Sequence, residues 1–269
     1  MHMRTISQLL DLTGRQAIIT GGAGHLGLVA GEALVELGAT VALLDVEAAG
    51  CRENTKRLCR RRRGSAIAHA VDLRDEGATR AAVREAIAQL GGLAILVHCA
   101  AYVGTGALDG WAVPFDRQTI EAWDAAMRVN VTSVFVMVQE AKDTLAASGK
   151  GSVIVFSSIH GVVSPDYRLY AQTKMTSPVG YGVSKSGLLQ LMRTLATTFA
   201  PQIRVNAISP GGVWRNQPKT FHQRYVARTP LGHMATEEDL KGAVVYLASD
   251  LSTYVTGHNL VVDGGWTAW

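Results

Sequence analysis

Aromatic residues, prolines and cysteines are all scarce in this chain of 269 residues. Phe, Trp and Tyr together make up 6% of it, and it contains 7 prolines and 3 cysteines. Cys51, Cys59 and Cys99 are an odd number of thiols without the spacing of metal ligands. This pattern argues against a disulfide framework. We therefore expect reduced thiols, no metal site and a cytoplasmic location.

Long hydrophobic runs are also missing. A membrane-spanning helix needs about 18 uninterrupted apolar residues, and no segment approaches that length. The amino-terminal residues have no apolar core followed by a small-residue cleavage site, which argues against a secretory signal. We expect no membrane partner.

Positive charge exceeds negative charge only slightly, and the excess is local. The formal net charge is +4, and the positive charge is concentrated in a basic run made of Lys56, Arg57 and Arg60 to Arg63. The run lies at the predicted end of a helix, where cations complement the helix dipole. A solvated helix face explains it better than a surface for a polyanion. We expect no nucleic-acid partner.

Glycine and aliphatic residues are abundant instead, with 28 glycines and a hydrophobic fraction of 48%. Apolar runs alternate with amphipathic segments along the whole chain, which indicates βαβ units. The sequence predicts one α/β domain over residues 1–269, doubly wound, with a seven-stranded parallel sheet and helices on both faces. The predicted strands are 16–20, 40–45, 65–71, 93–99, 152–157, 203–209 and 259–262. The predicted helices are near 26–37, 47–62, 75–90, 119–147, 181–199 and 236–249.

Three connections, at about 102–117, 159–179 and 210–228, are longer than ordinary loops. Long loops in compact domains are usually functional. All three follow predicted strands, and loops at the carboxyl ends of parallel strands line the ligand crevice. We expect all three to face a small-molecule substrate.

The first predicted strand runs directly into a glycine-rich turn, TGGAGHLG, which spans residues 20–27. Between a strand and a helix, such glycines let backbone N–H groups approach a dinucleotide pyrophosphate. The second strand ends at Asp45, whose carboxylate can bind both ribose hydroxyls and would repel a 2′-phosphate. Val46 follows it, so no adjacent arginine offsets that repulsion. These features favour NAD over NADP; the alternative is that Asp45 caps the next helix. Asp72, at the end of the third strand, could reach the adenine amino group.

Together these motifs resemble the short-chain dehydrogenase/reductase family, which has a Rossmann-type fold. The resemblance rests on strand–TGxxxGxG–helix, on the Asp that ends the second strand and on Asp72-Leu73. It implies a cofactor site that includes Gly21, His25, Leu26, Gly27, Asp45, Asp72, Leu73 and Ala100.

The glycine-rich turn and the segment after the fourth strand each depart from the family pattern. The second glycine of the turn is His25, which either contacts the cofactor or takes no part because Gly24 absorbs the turn. The family's Asn-Asn-Ala-Gly after the fourth strand stands here as His98-Cys99-Ala100-Ala101. Ala100 keeps the small residue that lets the ribose approach, while the stabilising role of the Asn must be filled elsewhere.

A Tyr-x-x-x-Lys pair, Tyr181 and Lys185, follows the fifth predicted strand. On a helix this spacing puts both side chains on one face. A phenol has a pKa near ~10, so it needs nearby positive charge to act as a base at neutral pH, and Lys185 can supply it. By resemblance, Ser158 would hydrogen-bond the substrate oxygen, and Asn130 would hold a water for proton relay.

The chain holds a second pair with this spacing, Tyr170 and Lys174. Tyr170 lies twelve residues after Ser158, which is close to the spacing usual in the family. Tyr181 lies twenty-three residues after Ser158. The context decides between them, because residues 175–178 end in a proline that cannot continue a helix. Residues 181–212 instead resemble the family closely. We therefore take Tyr181 as the acid/base and 159–179 as an enlarged substrate loop, with Tyr170 and Lys174 as candidate substrate contacts.

The turn Pro210-Gly211-Gly212-Val213 matches the family's PGxxxT motif beside the nicotinamide, which implies cofactor contacts for Pro210, Gly211 and Val213. Arg215 stands at the Thr position and departs from the motif there. Residues 214–228 would form a substrate lid whose Trp, Arg and Lys content suggests a polar or anionic substrate. The terminal VTGxxLxVDGG segment is again typical of the family.

The resemblance implies a hydride transfer between NAD and a secondary alcohol or ketone. Insertions near 102–117 and 159–179 and the terminal GGWTAW look like a subgroup associated with surface-polysaccharide or nucleotide-sugar biosynthesis. Two alternatives are a non-catalytic NAD-binding regulatory or scaffold protein and a longer-branch sugar epimerase or dehydratase. The family also implies a homotetramer, a dimer of dimers, built on helices whose apolar residues exceed what one sheet face needs. These residues are Val134, Phe135, Val138, Leu188, Leu191 and Leu195.

Overall fold

A computed structural model describes residues 3–102 and 109–269 of the chain. In this part of the chain seven parallel strands form one sheet, in the order β3-β2-β1-β4-β5-β6-β7. The strands are β1 (Gln16–Thr20), β2 (Thr40–Asp45), β3 (Ala66–Ala70), β4 (Ile95–His98), β5 (Gly151–Phe156), β6 (Ile203–Pro210) and β7 (Asn259–Val262). The predicted sheet is confirmed.

Helices cover both faces of the sheet. They are α1 (Ile6–Leu10), α2 (His25–Glu36), α3 (Ala48–Arg61), α4 (Glu76–Leu90), α5 (Ile120–Met127), α6 (Ser133–Ala147), α7 (Val179–Phe199), α8 (Lys219–Ala227) and α9 (Lys241–Ala248). One core layer lies between the sheet and α4, α6 and α7, and it includes Val83, Met137 and Leu188. The opposite layer includes Leu34 and Leu247. Because both faces are covered, the central strands are mostly apolar.

From β1 the chain adds β2 and β3 on one side of the sheet, and from β4 it adds β5, β6 and β7 on the other side. The strand order therefore reverses between β1 and β4. In open parallel sheets the ligand crevice forms at such a switch point, beyond the carboxyl ends of the strands. The glycine-rich turn follows β1, and the segment with His98 and Ala100 ends β4 and continues beyond it. Both segments therefore meet at the predicted crevice.

The long helix predicted over 119–147 is interrupted. A π-helical turn, Arg128–Thr132, separates α5 from α6 and contains the buried Asn130. A π turn carries an additional residue in the helical ladder and often marks a functional site. The periodicity of the sequence could not reveal it, since the apolar pattern continues on both sides. The prediction also missed α1 and placed no helix where α8 lies.

Four of the six apolar residues on which the predicted tetramer was based pack inside this chain. Val134, Val138, Leu188 and Leu195 are buried, so they do not argue for an interface. Leu191 packs at the edge of the same core. Phe135 is different, because 46% of it is exposed.

The basic run pairs with acidic side chains of its neighbourhood. Arg57 and Arg61 contact Glu32, with nitrogen–oxygen distances of 2.8 and 3.1 Å. Arg61 also contacts Glu36 at 2.7 Å. These arginines therefore connect α3 to α2. Among the described helices, none has both the length and the apolar character needed to cross a membrane.

Candidate active site

The glycine-rich turn is so tight that a side chain would not fit at either end of it. Gly21 has a φ of +69°, and a β-carbon there would lie 2.8 Å from the amide nitrogen of Ala100. A β-carbon on Gly27 would lie 2.6 Å from the carbonyl carbon of Gly21. The turn ends at the amino terminus of α2, where free N–H groups favour an anion. This shape fits a dinucleotide pyrophosphate.

Asp45 ends β2 and lies against this turn. Its carboxylate accepts hydrogen bonds from the backbone N–H groups of Ala23 and Glu47, both at 2.9 Å. The hydrogen bond from Ala23 fixes the carboxylate beside the glycine-rich turn. Asp45 therefore does more than cap the following helix. Val46, which follows, is 60% exposed and contributes no charge. Within the described residues this carboxylate accepts two hydrogen bonds. Its remaining lone pairs can accept from further donors.

Asp72, the predicted adenine contact, is held by a close neighbour. Its carboxylate accepts from the Nε and Nη2 atoms of Arg74 at distances of 2.6 to 3.0 Å and from the Arg74 backbone N–H at 2.9 Å. The hydrogen bond from Arg74 lowers the pKa of Asp72. An adenine amino group would share this carboxylate with Arg74. Leu73 is buried beside it.

His98 supplies the cross-strand contact that the missing Asn left unassigned. Its Nδ1 lies 2.9 Å from the hydroxyl oxygen of Thr20, the last residue of β1. That oxygen also accepts from the N–H of Ala100 at 3.2 Å. Burial lowers the pKa of His98 to about 3, so the imidazole is neutral at pH 7. The pair ties β1 to β4 where both strands reach the crevice.

Tyr181, Lys185 and Ser158 come together at the carboxyl end of β5. Tyr181 and Lys185 lie one turn apart on α7, and the Lys185 Nζ is 5.8 Å from the centre of the Tyr181 ring. Lys185 is almost fully buried and donates to the carbonyl of Phe156 at 2.7 Å. Burial lowers the pKa of Lys185 to about 8. Burial raises the pKa of the Tyr181 phenol, and a hydrogen bond with the Ser158 hydroxyl opposes that rise.

Asn130 connects three segments around this group. Its side-chain oxygen accepts from the N–H of Tyr102 at 2.7 Å, and its side-chain nitrogen donates to the Ser184 hydroxyl at 2.8 Å. Ser184 donates in turn to the carbonyl of Tyr181 at 2.8 Å. Asn130 therefore links the segment after β4 to the first turns of α7.

The second Tyr-x-x-x-Lys pair is not helical. Tyr170 follows a short 3-10 turn, Tyr167–Leu169, and Lys174 is exposed in the irregular segment that follows. Pro178 precedes the first residue of α7. Tyr170 nevertheless approaches the same site, because its hydroxyl lies 3.5 Å from the Nε2 of His160.

His160 was not singled out from the sequence, although it stands only two residues after Ser158. Its ring packs edge-on to Tyr181 with 6.3 Å between ring centres. Burial lowers its pKa to about 4, so it is neutral at pH 7. Its Nδ1 is buried and has no hydrogen-bond partner among the described residues. Trp111 also packs near Tyr181, in a small apolar cluster.

The predicted lid contains α8, which packs on the enlarged loop through aromatic rings. Phe221 lies 5.3 Å from Tyr170, and Tyr225 stacks on Trp266 at 5.9 Å, between ring centres. Tyr225 accepts a hydrogen bond from the N–H of Gly212 and so also holds the turn after Pro210. The terminal segment thus belongs to the lid cluster through Trp266. Only the part of the 102–117 loop outside 103–108 belongs to the described residues.

The arginines of the lid are engaged with groups of the protein itself. Arg224 donates to the backbone carbonyl of Ala171, and Arg228 pairs with Asp166. Arg215 pairs with Glu237 at 2.7 Å. These three arginines are therefore engaged within the protein, and the polar or anionic substrate stays a prediction.

His25 is the first residue of α2, and 70% of its side chain is exposed. Its Nδ1 lies 3.4 Å from Glu237 Oε1, the atom that Arg215 also contacts. Glu237 was not identified from the sequence. No pattern marks it, because the contacts join residues far apart in the chain.

Comparison with known proteins places this arrangement in a family. Residues 22–267 match a family model described as Enoyl-(Acyl carrier protein) reductase. A probable galactose dehydrogenase of Rhizobium meliloti is 33% identical over 96% of this chain and 97% of its own length. A cis-4-hydroxycyclohexanecarboxylate dehydrogenase of Sinomonas cyclohexanicum is 32% identical over 94% of this chain and 97% of its own length.

Two solved structures share the fold over nearly the whole chain. A short chain dehydrogenase from Leptospira borgpetersenii with bound NAD+ has a TM-score of 0.83 and 32% identity, and the match covers 99% of this chain and 97% of that one. A gluconate 5-dehydrogenase from Burkholderia cenocepacia in complex with NADP and tartrate has a TM-score of 0.84 and 26% identity, covering 98% and 100%.

Proposed function

The chain belongs to the short-chain dehydrogenase/reductase family, and from this premise we propose that it transfers a hydride between NAD(H) and a secondary alcohol or ketone. The observation that carries the proposal is the meeting of Tyr181, Lys185 and Ser158 at the carboxyl end of β5. A non-catalytic NAD-binding or scaffold protein would have no need to keep this set.

Each member of the set has a distinct proposed role. Tyr181 moves the proton between the substrate oxygen and the enzyme, as a general acid or base according to the direction. Lys185 favours the phenolate through its charge, and Ser158 orients the substrate oxygen by a hydrogen bond. Asn130 fixes the start of α7 through Ser184. We also propose that Asn130 holds a water for proton relay.

The nicotinamide cofactor would accept or donate the hydride, and the shape of the site fits it. Gly21 and Gly27 leave room for the pyrophosphate against the first turn of α2. Leu26, Leu73 and Ala100 would line the adenosine and ribose. Pro210, Gly211 and Val213 would lie beside the nicotinamide, and His25 would stand at the edge of the phosphates.

The proposed preference for NAD rests on Asp45. Its carboxylate is fixed beside the turn by the N–H of Ala23, where a 2′-phosphate would meet a negative charge, and Val46 offers no compensating cation. Relatives in the family use either cofactor, since one solved neighbour holds NAD+ and another NADP. Titration of both cofactors decides the matter, and equal or tighter binding of NADP would contradict the assignment. Asp45→Ala combined with Val46→Arg should shift the preference toward NADP.

For the substrate we propose a sugar or another ring-shaped secondary alcohol. His160 and Tyr170 place further polar groups beside Tyr181, and Trp111 adds an aromatic surface. Several hydroxyl groups on one ring would match this lining. The relatives named for galactose and for a hydroxycyclohexane carboxylate support the same class. A nucleotide sugar of surface-polysaccharide synthesis is the narrower proposal; its support is the inserted segments alone.

Further proposals concern the organisation of the protein. We propose one domain over residues 1–269, a homotetramer arranged as a dimer of dimers, and a cytoplasmic location. The exposed Phe135 of α6 and Val183 of α7 support contact through these helices, and three free thiols support a reducing compartment. Light scattering that shows a monomer at micromolar concentration would reject the tetramer.

The experiment that tests the main proposal is a substrate screen. The purified protein is offered free sugars, polyols, cyclic secondary alcohols and nucleotide sugars with NAD+, and the reduced nicotinamide is followed by absorbance. We expect turnover with a ring alcohol and no signal from the Tyr181→Phe variant. Signal only with nucleotide sugars would favour the narrower subgroup. A protein that binds NAD+ but turns over none of these classes would favour the non-catalytic alternative.

A further inference from the structure

Two of the family positions that this chain changes meet at one carboxylate. His25 replaces a glycine of the pyrophosphate turn, and Arg215 replaces the threonine after β6. Their nearest side-chain nitrogens lie 3.4 and 2.7 Å from the same oxygen, Oε1 of Glu237. Residues 190 positions apart in the chain are thus connected through a third.

The three side chains come from elements that all border the proposed cofactor site. His25 begins α2 directly after Gly24. Arg215 belongs to the segment between β6 and α8, and Glu237 precedes a 3-10 turn, Glu238–Leu240, that leads into α9. The side chains of Arg215 and Glu237 are about two-thirds buried, with exposures of 31% and 32%. This burial distinguishes their pair from a fully solvated ion pair.

The backbone around Arg215 is ordered by the same segment that carries Glu237. Val213 and Ala235 form a parallel bridge, and the N–H of Trp214 donates to the carbonyl of Ala235 at 2.8 Å. Gln217 closes the turn by accepting from the N–H of Arg215 at 2.7 Å. The first residues of the lid are therefore built onto residues 235–237.

We propose that Glu237 is a positioning residue that couples the lid to the pyrophosphate turn through Arg215 and His25. It fixes the beginning of the lid beside the turn, so that the lid stays over a bound dinucleotide. The inference rests on the proposed NAD-dependent function for its consequence, but the connection itself exists without cofactor. Loss of the carboxylate should release the lid segment and speed cofactor dissociation.

The first test needs no cofactor. Hydrogen exchange of residues 213–228 is compared between Glu237→Gln and the matched control Glu238→Gln, which removes the same charge one residue further on. Glu238 is exposed, and no ion pair involves it in the described structure. We expect faster exchange in Glu237→Gln only. Equal exchange in the two variants would overturn the proposal.

The second test measures NAD+ binding by calorimetry and release by stopped flow. We expect the dissociation constant of Glu237→Gln to rise about two- to fivefold, the size expected for a partly exposed ion pair. The KM for NAD+ should rise without a fall in kcat, and Glu237→Asp should recover part of the affinity. Wild-type protein that binds no NAD+ would contradict the proposed function, whereas normal or tighter binding by Glu237→Gln would contradict this inference.

A double-mutant cycle tests whether His25 and Arg215 act through Glu237. His25→Ala and Arg215→Thr should each weaken binding, and the double variant should weaken it less than the product of the two effects. In a Glu237→Gln background, Arg215→Thr should not change the affinity further, and His25→Ala should lose the part of its effect that depends on the carboxylate. Full multiplicativity with Glu237 present would show that the residues act independently, which would overturn the coupling.

Discussion

Two segments of the chain share the spacing of tyrosine and lysine, but the fold gives them different surroundings. Tyr181 and Lys185 lie on the first turns of α7, where Lys185 is buried against the carbonyl of Phe156. Tyr170 and Lys174 lie in an irregular segment, and Lys174 is exposed. The same spacing therefore puts both side chains on one helix face and buries the lysine in one segment, but not in the other.

The largest expected effect separates the two tyrosines. Tyr181→Phe keeps the ring but removes the proton donor, so we expect kcat to fall by at least ~10²–10⁴, the usual contribution of a general acid or base. NAD+ binding should survive, as measured by calorimetry. Tyr170→Phe should leave kcat near the wild-type value. The reverse pattern would show that the acid/base has been placed in the wrong segment.

A second pair of substitutions separates the two lysines. Lys185→Met should lower kcat and weaken NAD+ binding, because the ammonium would serve both the phenol and the ribose. Lys174→Met changes an exposed side chain, so kcat and the dissociation constant should stay near wild type. Steady-state kinetics and calorimetry on both variants measure these effects. Unchanged kinetics in Lys185→Met would contradict the different roles of the two lysines.

The lysines should also differ in how stability depends on pH. Burial lowers the pKa of Lys185 to about 8 from 10.5, so the folded state loses this proton first. Between pH 8 and 10.5 the unfolded state binds more protons, and stability rises with pH; below pH 8 the cost of the buried cation is fully present. Relative to Lys185→Met, the wild type should gain roughly 2 to 3 kcal/mol across this window.

Urea unfolding at several pH values measures this difference, since effects of groups that do not interact with Lys185 cancel between wild type and variant. Lys174→Met is the control and should follow the wild type at every pH. A constant difference between wild type and Lys185→Met from pH 7 to 10.5 would show that Lys185 has an ordinary pKa.

The smallest expected effect concerns Tyr170 as a substrate contact. Its hydroxyl lies near His160, which packs on Tyr181, so Tyr170→Phe removes one polar group from the substrate side. We expect a rise in KM for the alcohol of about two- to tenfold at constant kcat, the pattern of lost uniform binding. Unchanged KM would place the Tyr170 hydroxyl outside the substrate site.

The sheet and the cofactor turn could be predicted because their determinants are local. Strands that are buried on both faces give nearly continuous apolar runs. The tight turn of residues 20–27 has no room for a side chain at Gly21 or Gly27, so it leaves a short glycine-rich motif. The choice of Tyr181 also depended on local context, namely Pro178 before α7. Strand ends differ from the predicted ones by only one or two residues.

Other features depend on contacts between distant residues and left no local pattern. His98 meets Thr20 across 78 positions, and Glu237 joins His25 to Arg215 through space. The π-helical turn at Asn130 lies inside a continuous amphipathic pattern, so periodicity could not reveal it. The substitutions at His25, His98 and Arg215 were visible as departures from the family, but only the fold shows what each contacts.

A crystal structure with NAD+ and a slow substrate or inhibitory alcohol tests the central claim most directly. The account predicts that the phenolic oxygen of Tyr181 lies within hydrogen-bonding distance of the ligand oxygen, with Ser158 on the same atom and Lys185 beside the ribose. A ligand oxygen bound by Tyr170 instead, with Tyr181 out of reach, would contradict it.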